Sequence, residues 1–202
     1  NMCRRISAEG YNVILPNLFY RLGTEGNYPF NQDTYKSDKK ELGKMVKTMN
    51  DTSNNMIIND TSYILDFIEN EMSNKKKIGI VGYCMSGRFV VACGAAYSSK
   101  IKSIASFYGV DIYTQLPDSP HLSFNKIKGE IYLAFAEKDV WVSDEQINKI
   151  KEAISMHNIS ARIEIYKGTT HGFAFPERAN YDQKASEKHW EELFALFKRS
   201  LF

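Results

Sequence analysis

The segment Ile78-Gly-Ile-Val-Gly-Tyr-Cys-Met-Ser-Gly87 is the most informative part of the sequence for the fold, because it joins an apolar run to a tight turn and a second apolar segment. A short apolar run that ends in glycine predicts a buried strand, and the apolar residues of 89–97 predict a helix after it. Within the turn, Cys84 stands two positions after Gly82 and two before Ser86. This is the spacing of a nucleophile elbow, in which the central residue has a strained backbone and its second neighbours must be small.

A helix that begins at this turn would direct its N-terminal N–H groups and the positive end of its dipole toward Cys84. That environment favours a thiolate and the oxyanion of acyl transfer, and the Met85 N–H would be one oxyanion donor. Free cysteine is most often a small buried apolar residue, and this interpretation fits Cys93, which lies among alanines in a predicted helix. Ser86 would need glycine at position 84 to occupy an elbow of its own. Cys84 is therefore the predicted nucleophile, and the adjacent Tyr83 is a candidate substrate contact.

Outward from this turn, short apolar runs alternate with helical patterns. Strands are predicted at residues 13–15, 78–82, 101–108, 131–136 and 163–166. Amphipathic helices are predicted after Ser37 and after Asp60, each of which can cap a helix, and a helical stripe closes the chain from Trp190 to Leu201. The βαβα order predicts an α/β fold with a mainly parallel sheet and helices on both faces.

The acid and the base that would act with Cys84 are expected in the loops that follow later strands. A thiol with an ordinary pKa of about 8.5 is only slightly ionised at neutral pH, so a histidine must take its proton. In sheets of this kind the acid and then the histidine follow the nucleophile along the chain. His171 fits that position after strand 163–166, whereas the other histidines are assigned to a loop, a helix end and the terminal helix: His121, His157 and His189. Asp139 is preferred to Glu137 as the acid, because it lies further beyond strand 131–136.

The composition bounds the function. With 202 residues, 43% hydrophobic and 25% charged, the chain is expected to fold as one domain over 1–202. A formal charge of +2 creates no strong field for nucleic acid or anionic lipid, and no apolar run is long enough for a membrane span. Three scattered cysteines indicate neither a disulfide framework nor a zinc cluster. We expect a cytoplasmic protein with a small-molecule partner and no metal or cofactor, and the oligomeric state stays open.

Three motifs resemble those of the dienelactone hydrolase family: Gly82-Tyr-Cys-Met-Ser-Gly87, Ala136-Glu-Lys-Asp-Val140 and Thr170-His-Gly-Phe173. The resemblance runs nearly end to end, since Asn17-Leu-Phe-Tyr-Arg21 and Phe173-Ala-Phe-Pro-Glu-Arg178 are similar to family segments as well. It implies an α/β-hydrolase domain that apparently lacks the first strands at its N-terminus.

The resemblance also implies a reaction. Cys84 would open a small ester or lactone and become acylated, with His171 acting first as base and then as acid and Asp139 orienting His171. Arg21 would be a candidate to hold a substrate carboxylate by a bidentate pair.

Two departures from the family pattern bear on the reaction. Members that cleave dienelactones carry an arginine shortly after the histidine motif, where this chain has Phe175, with Arg178 three residues further on. The family loop that furnishes a second oxyanion donor precedes the first residues of this chain. Two other hypotheses therefore stay open: an impaired family member that acts as a binding or structural subunit, and an oxidant-sensing thiol.

Overall fold

A computed structural model describes residues 1–24, 27–31, 34–72 and 77–202, which form two compact units, Asn1–Ser53 and Asn54–Phe202. The expectation of a single domain over 1–202 stays a prediction. None of the helices in these ranges is long and apolar enough to span a bilayer.

The Asn1–Ser53 unit contains helices α1 (Met2–Ala8) and α2 (Lys39–Asp51). Asp38, rather than the predicted Ser37, caps α2, and its carboxylate accepts the N–H groups of Lys40 and Glu41. The predicted strand at 13–15 was wrong. No described residue pairs with this segment as a strand and Leu15 is 79% exposed, so its backbone lacks the neighbouring strand that a ladder needs.

The Asn54–Phe202 unit is built around four parallel strands in the order β1-β2-β3-β4, which confirms the predicted parallel sheet. The strands are β1 (Ile78–Tyr83), β2 (Ile101–Phe107), β3 (Glu130–Lys138) and β4 (Ala161–Thr170). The helices are α3 (Asn54–Glu71), α4 (Met85–Ala96), α5 (Asp144–Ser155) and α6 (Gln183–Leu201), with a 3-10 helix at Pro120–Lys126. Asp60 lies inside α3 and does not cap it, because polar residues from Asn54 onward already take helical conformation.

Helices α4 and α6 cover opposite faces of the sheet. A Cβ on Gly94 of α4 would collide with Ile104, whereas a Cβ on Gly79 would meet both Ser103 and Phe197 of α6. Ser103 and Ile104 are consecutive in β2, so their side chains point to opposite faces. The sheet is therefore sandwiched between helices, and the carboxyl ends of its strands meet along one edge.

Candidate active site

The turn between β1 and α4 has the backbone of a nucleophile elbow. Cys84 has φ 54° and ψ −121°, a conformation that L-residues rarely adopt. A Cβ on Gly82 would lie 2.3 Å from the Ser86 carbonyl oxygen, so the turn has room only for glycine there. The Ser86 hydroxyl accepts the Tyr83 N–H and donates to the Tyr83 carbonyl, both at 2.8 Å. Ser86 is thus engaged in holding the turn that presents Cys84.

The same turn is fixed to the end of β2. The Cys84 N–H donates to the Phe107 carbonyl at 3.1 Å, and the Cys84 carbonyl accepts from Gly87 at 3.0 Å and Val110 at 3.1 Å. Cys84 is the N-cap residue of α4, and Met85 is the first helical residue. An α-helix leaves its first N–H groups without an intrahelical acceptor, so the Met85 N–H has no acceptor within α4.

Strand pairing brings Asp139 and His171 together. Lys138 of β3 pairs with Thr170 of β4, so the next residue of each strand leaves the sheet at the same point. His171 Nδ1 lies 2.8 Å from Asp139 Oδ2 and 3.0 Å from Oδ1. The Asp139 side chain is fully buried and accepts the Trp141 N–H at 2.9 Å, which holds the carboxylate in place.

The β4 strand is longer than predicted, because it continues to Thr170 and His171 follows it directly. Residues 167–170, which lie beyond the predicted strand 163–166, are therefore part of β4. Glu137, the other carboxylate considered as the acid, is hydrogen-bonded through its side chain to residues of β4. It accepts from Lys167 Nζ at 2.7 Å and from the Gly168 N–H at 2.8 Å, and these bonds lower the pKa of Glu137.

The charge state of His171 is set by its neighbours. Burial alone would lower the pKa of this imidazole, but the hydrogen bond to Asp139 and the interaction with Cys84 raise that pKa to about 9. Within the described part of the chain, Nε2 is buried and makes no well-formed hydrogen bond. Because Asp139 accepts from Nδ1–H, Nε2 is the nitrogen left to exchange a proton with the thiol.

Tyr108 borders the site, and sequence reasoning missed it. Its ring is 1% exposed and packs edge-on against His171, with centroids 5.0 Å apart, and against Phe173 at 5.1 Å. Burial raises the pKa of Tyr108 well above its usual value of 10, so the phenol stays neutral. The sequence feature that could have identified Tyr108 as a site residue is its position directly after β2, at the same edge of the sheet as the other site residues.

The predicted substrate contacts occupy different surroundings. Arg178 is exposed, and its guanidinium lies over the Phe175 ring, 5.5 Å from the centroid. Both residues belong to the loop between β4 and α6 that begins at His171, here called the histidine loop. Tyr83 stacks on Phe107 with centroids 5.4 Å apart. Arg21 belongs to the Asn1–Ser53 unit, where its guanidinium lies over the Tyr20 ring at 4.5 Å.

Cys93 is structural, as predicted. It is 4% exposed, and its sulfur lies 3.2 Å from the Thr61 hydroxyl on α3. Burial raises the pKa of Cys93 to about 11. A neutral thiol packed between two helices cannot serve as a nucleophile for an external substrate.

The sequence profile of the dienelactone hydrolase family matches residues 1–201. A Synechocystis protein named "Putative carboxymethylenebutenolidase" is 27% identical over 205 residues, covering 100% of this chain and 80% of that protein. Protein usf of Aquifex pyrophilus is 25% identical over 202 residues, covering 99% and 80%.

Solved structures share the fold. A Klebsiella pneumoniae crystal structure described as a "Putative Dienelactone Hydrolase" superposes with a TM-score of 0.80 at 20% identity, covering 98% of this chain and 79% of that one. A dienelactone hydrolase-like promiscuous phosphotriesterase from metagenomic libraries gives a TM-score of 0.73 at 13% identity, with coverages of 98% and 79%. The chain therefore has an α/β-hydrolase fold and belongs to the dienelactone hydrolase family.

Proposed function

We propose that this chain hydrolyses small esters or lactones by acyl transfer through Cys84. The observation that carries the proposal is the buried Asp139–His171 pair, which shares one sheet edge with a cysteine at an elbow. A histidine held by a carboxylate and placed beside a thiol is the arrangement that activates a nucleophilic cysteine.

In the proposed reaction, the Cys84 proton has already passed to His171 Nε2, and the resulting thiolate attacks the ester carbonyl carbon. The Met85 N–H donates to the oxyanion of the tetrahedral intermediate. The intermediate collapses with cleavage of the C–O bond, and the leaving oxygen takes the proton from Nε2. A water molecule then gives a proton to Nε2 and attacks the thioester, which releases the acid and restores the thiolate beside the protonated His171.

Substrate recognition is proposed to involve Tyr83, Arg178 and Arg21. Arg178 places a positive charge beside the histidine loop, where a substrate carboxylate would be attracted. Arg21 is proposed from the family resemblance. Esters with and without a carboxylate, compared in Arg21→Ala and Arg178→Ala, test these contacts. A small-molecule partner and a cytoplasmic location, which would keep the Cys84 thiol reduced, complete the proposal.

Replacing Cys84 tests the function. Cys84→Ala is expected to reduce the hydrolysis of p-nitrophenyl acetate to the uncatalysed rate, a loss of about 10³-fold or more, because no other described thiol occupies an elbow. Cys3→Ala is the matched control, and it should keep the parent rate. Circular dichroism should show the same fold for all three proteins. Equal turnover by parent and Cys84→Ala would overturn the proposal. A parent protein that folds but shows no turnover would favour the alternative, a family member that acts as a binding or structural subunit.

A further inference from the structure

A chain of hydrogen bonds leads from Tyr83, the half-buried residue before the proposed nucleophile, to buried residues of α6. The Tyr83 hydroxyl lies 2.7 Å from His189 Nε2, and His189 Nδ1 lies 2.9 Å from the Ser186 carbonyl oxygen. A carbonyl oxygen only accepts, so Nδ1 carries a proton, and in the neutral ring Nε2 then accepts from the Tyr83 hydroxyl. His189 has no exposed surface and Ser186 is buried, whereas Tyr83 is half-buried.

The same turn of α6 also contacts the loop that carries His171. The Ser186 hydroxyl donates to the Ala174 carbonyl at 3.1 Å, three residues after His171. The Tyr83 ring packs edge-on against Phe175, with centroids 5.2 Å apart. One helical turn therefore contacts both the elbow side and the histidine side of the site.

His189 differs in kind from its neighbours on the buried face of α6, which is otherwise mostly apolar: Trp190, Leu193, Leu196 and Phe197. An apolar side chain at position 189 could fill the same space, but it would leave the Tyr83 hydroxyl without this acceptor. A satisfied buried hydrogen-bond chain fixes distances more narrowly than apolar packing does. The chain also begins one residue from Cys84 and ends three residues from His171.

We propose that His189 is a positioning residue that sets the separation between the Cys84 sulfur and His171 Nε2. It fixes the elbow through Tyr83, and its turn of α6 fixes the histidine loop through Ser186. The inference rests on the proposed role of Cys84 as nucleophile. His189 does not touch the reacting atoms, so it acts through the geometry of the other two residues.

Three variants in a Cys3→Ala background test the proposal. His189→Leu removes the acceptor, His189→Gln can retain it through the side-chain carbonyl, and Tyr83→Phe removes the donor. The measurements are kcat and KM for p-nitrophenyl acetate, and the rate of Cys84 alkylation by iodoacetamide as a function of pH.

His189→Leu is expected to lower kcat about tenfold with KM nearly unchanged, because a small displacement of the nucleophile affects the chemical step more than binding. Its alkylation profile should shift along the pH axis. His189→Gln should recover most of the lost rate, and Tyr83→Phe combined with His189→Leu should be no slower than the worse single variant.

The outcomes separate this inference from the proposed function. A parent-like kcat and alkylation profile in His189→Leu, with only a lower Tm, would assign His189 to stability alone and overturn the inference. If the parent shows no turnover but the alkylation profiles shift as expected, the positioning role stands and the hydrolase proposal falls. If His189→Leu does not fold, Tyr83→Phe and His189→Gln test the inference instead. A parent-like kcat and alkylation profile in Tyr83→Phe would then contradict it.

Discussion

His171 binds its proton more tightly than an ordinary histidine. Its pKa of about 9, against a usual value of 6.5, means that the folded state favours the charged ring. The resulting contribution to stability is fully present below about pH 6.5 and is lost as the pH rises through about 9. The protein should therefore become less stable over this alkaline window, with the loss assigned to His171.

Asp139→Asn removes the hydrogen-bonded charge that stabilises the imidazolium ring. The His171 pKa should fall, because burial then acts with less opposition, and kcat should fall on the order of 10²-fold or more. An NMR titration of His171 and a kcat measurement check this. Glu137→Gln is the control, because Glu137 contacts Lys167 and Gly168 and should leave both quantities unchanged. A pKa that stays near 9 in Asp139→Asn would contradict the assignment.

The site residues were predictable to different degrees. Cys84 and His171 follow from a local motif and from strand order, which a sequence displays directly. The choice of Asp139 over Glu137 is explained by the pairing of Lys138 with Thr170, which no local pattern contains. Tyr108 acquires its place beside His171 only when separate strands pair.

At the scale of elements, α4 packs unusually closely on the turn that follows β2. A Cβ on Gly87 would lie 2.4 Å from the Gly109 Cα and 2.5 Å from the Ser106 hydroxyl. The first is a backbone contact, which side-chain rotation cannot relieve. Gly87 and Gly109 therefore bring the N-terminal part of α4 against the turn after β2, and the elbow directly precedes that part of α4.

Gly87→Ala should lower the free energy of unfolding by about 1–3 kcal/mol, because the added methyl forces the two backbones apart. Turnover should fall as well, since Cys84 moves with the helix. Gly43→Ala in α2 is the matched control: no described atom outside its own helix and chain neighbours lies within 4 Å of the new Cβ. It should raise stability by about 0.5–1 kcal/mol. Urea denaturation measures the free energy of unfolding of both variants. Equal changes in Gly87→Ala and Gly43→Ala would contradict the packing argument.

The element boundaries show where local patterns fail. Strand β4 was predicted too short, because Lys167 and Gly168 look like a turn until their hydrogen bonds to the Glu137 carboxylate are known. The apolar run at 13–15 has the composition of a strand without a pairing partner among the described residues. Periodicity reports which side chains can be buried, whereas a strand also requires a neighbour.

At the scale of the whole molecule, the three thiols lie in three different environments. Cys93 is buried between α3 and α4, Cys84 stands at the elbow, and Cys3 lies half-buried in α1. The reactivity of Cys84 therefore reports on chemistry at the elbow, that of Cys3 on exposure of α1, and that of Cys93 on opening of the α3–α4 packing.

Labelling with a thiol reagent at neutral pH should modify Cys84 fastest and leave Cys93 unmodified while the protein is folded, because burial raises the Cys93 pKa to about 11. In urea, Cys93 should react with the same midpoint as the loss of circular dichroism. Peptide mass spectrometry assigns the sites. Rapid native labelling of Cys93 would show that the α3–α4 packing opens without global unfolding.

The residues of the proposed triad follow the ends of β1, β3 and β4, and β4 is an outer strand of the sheet. A nascent chain leaves the ribosome from its N-terminus, so the elbow can form while β4 is still being synthesised. In the proposed mechanism the thiol stays latent throughout that interval, since no imidazole is yet aligned with it. On this proposal the site is complete only after His171 and α6 have been synthesised, and translation products truncated before His171 would carry a cysteine without its base.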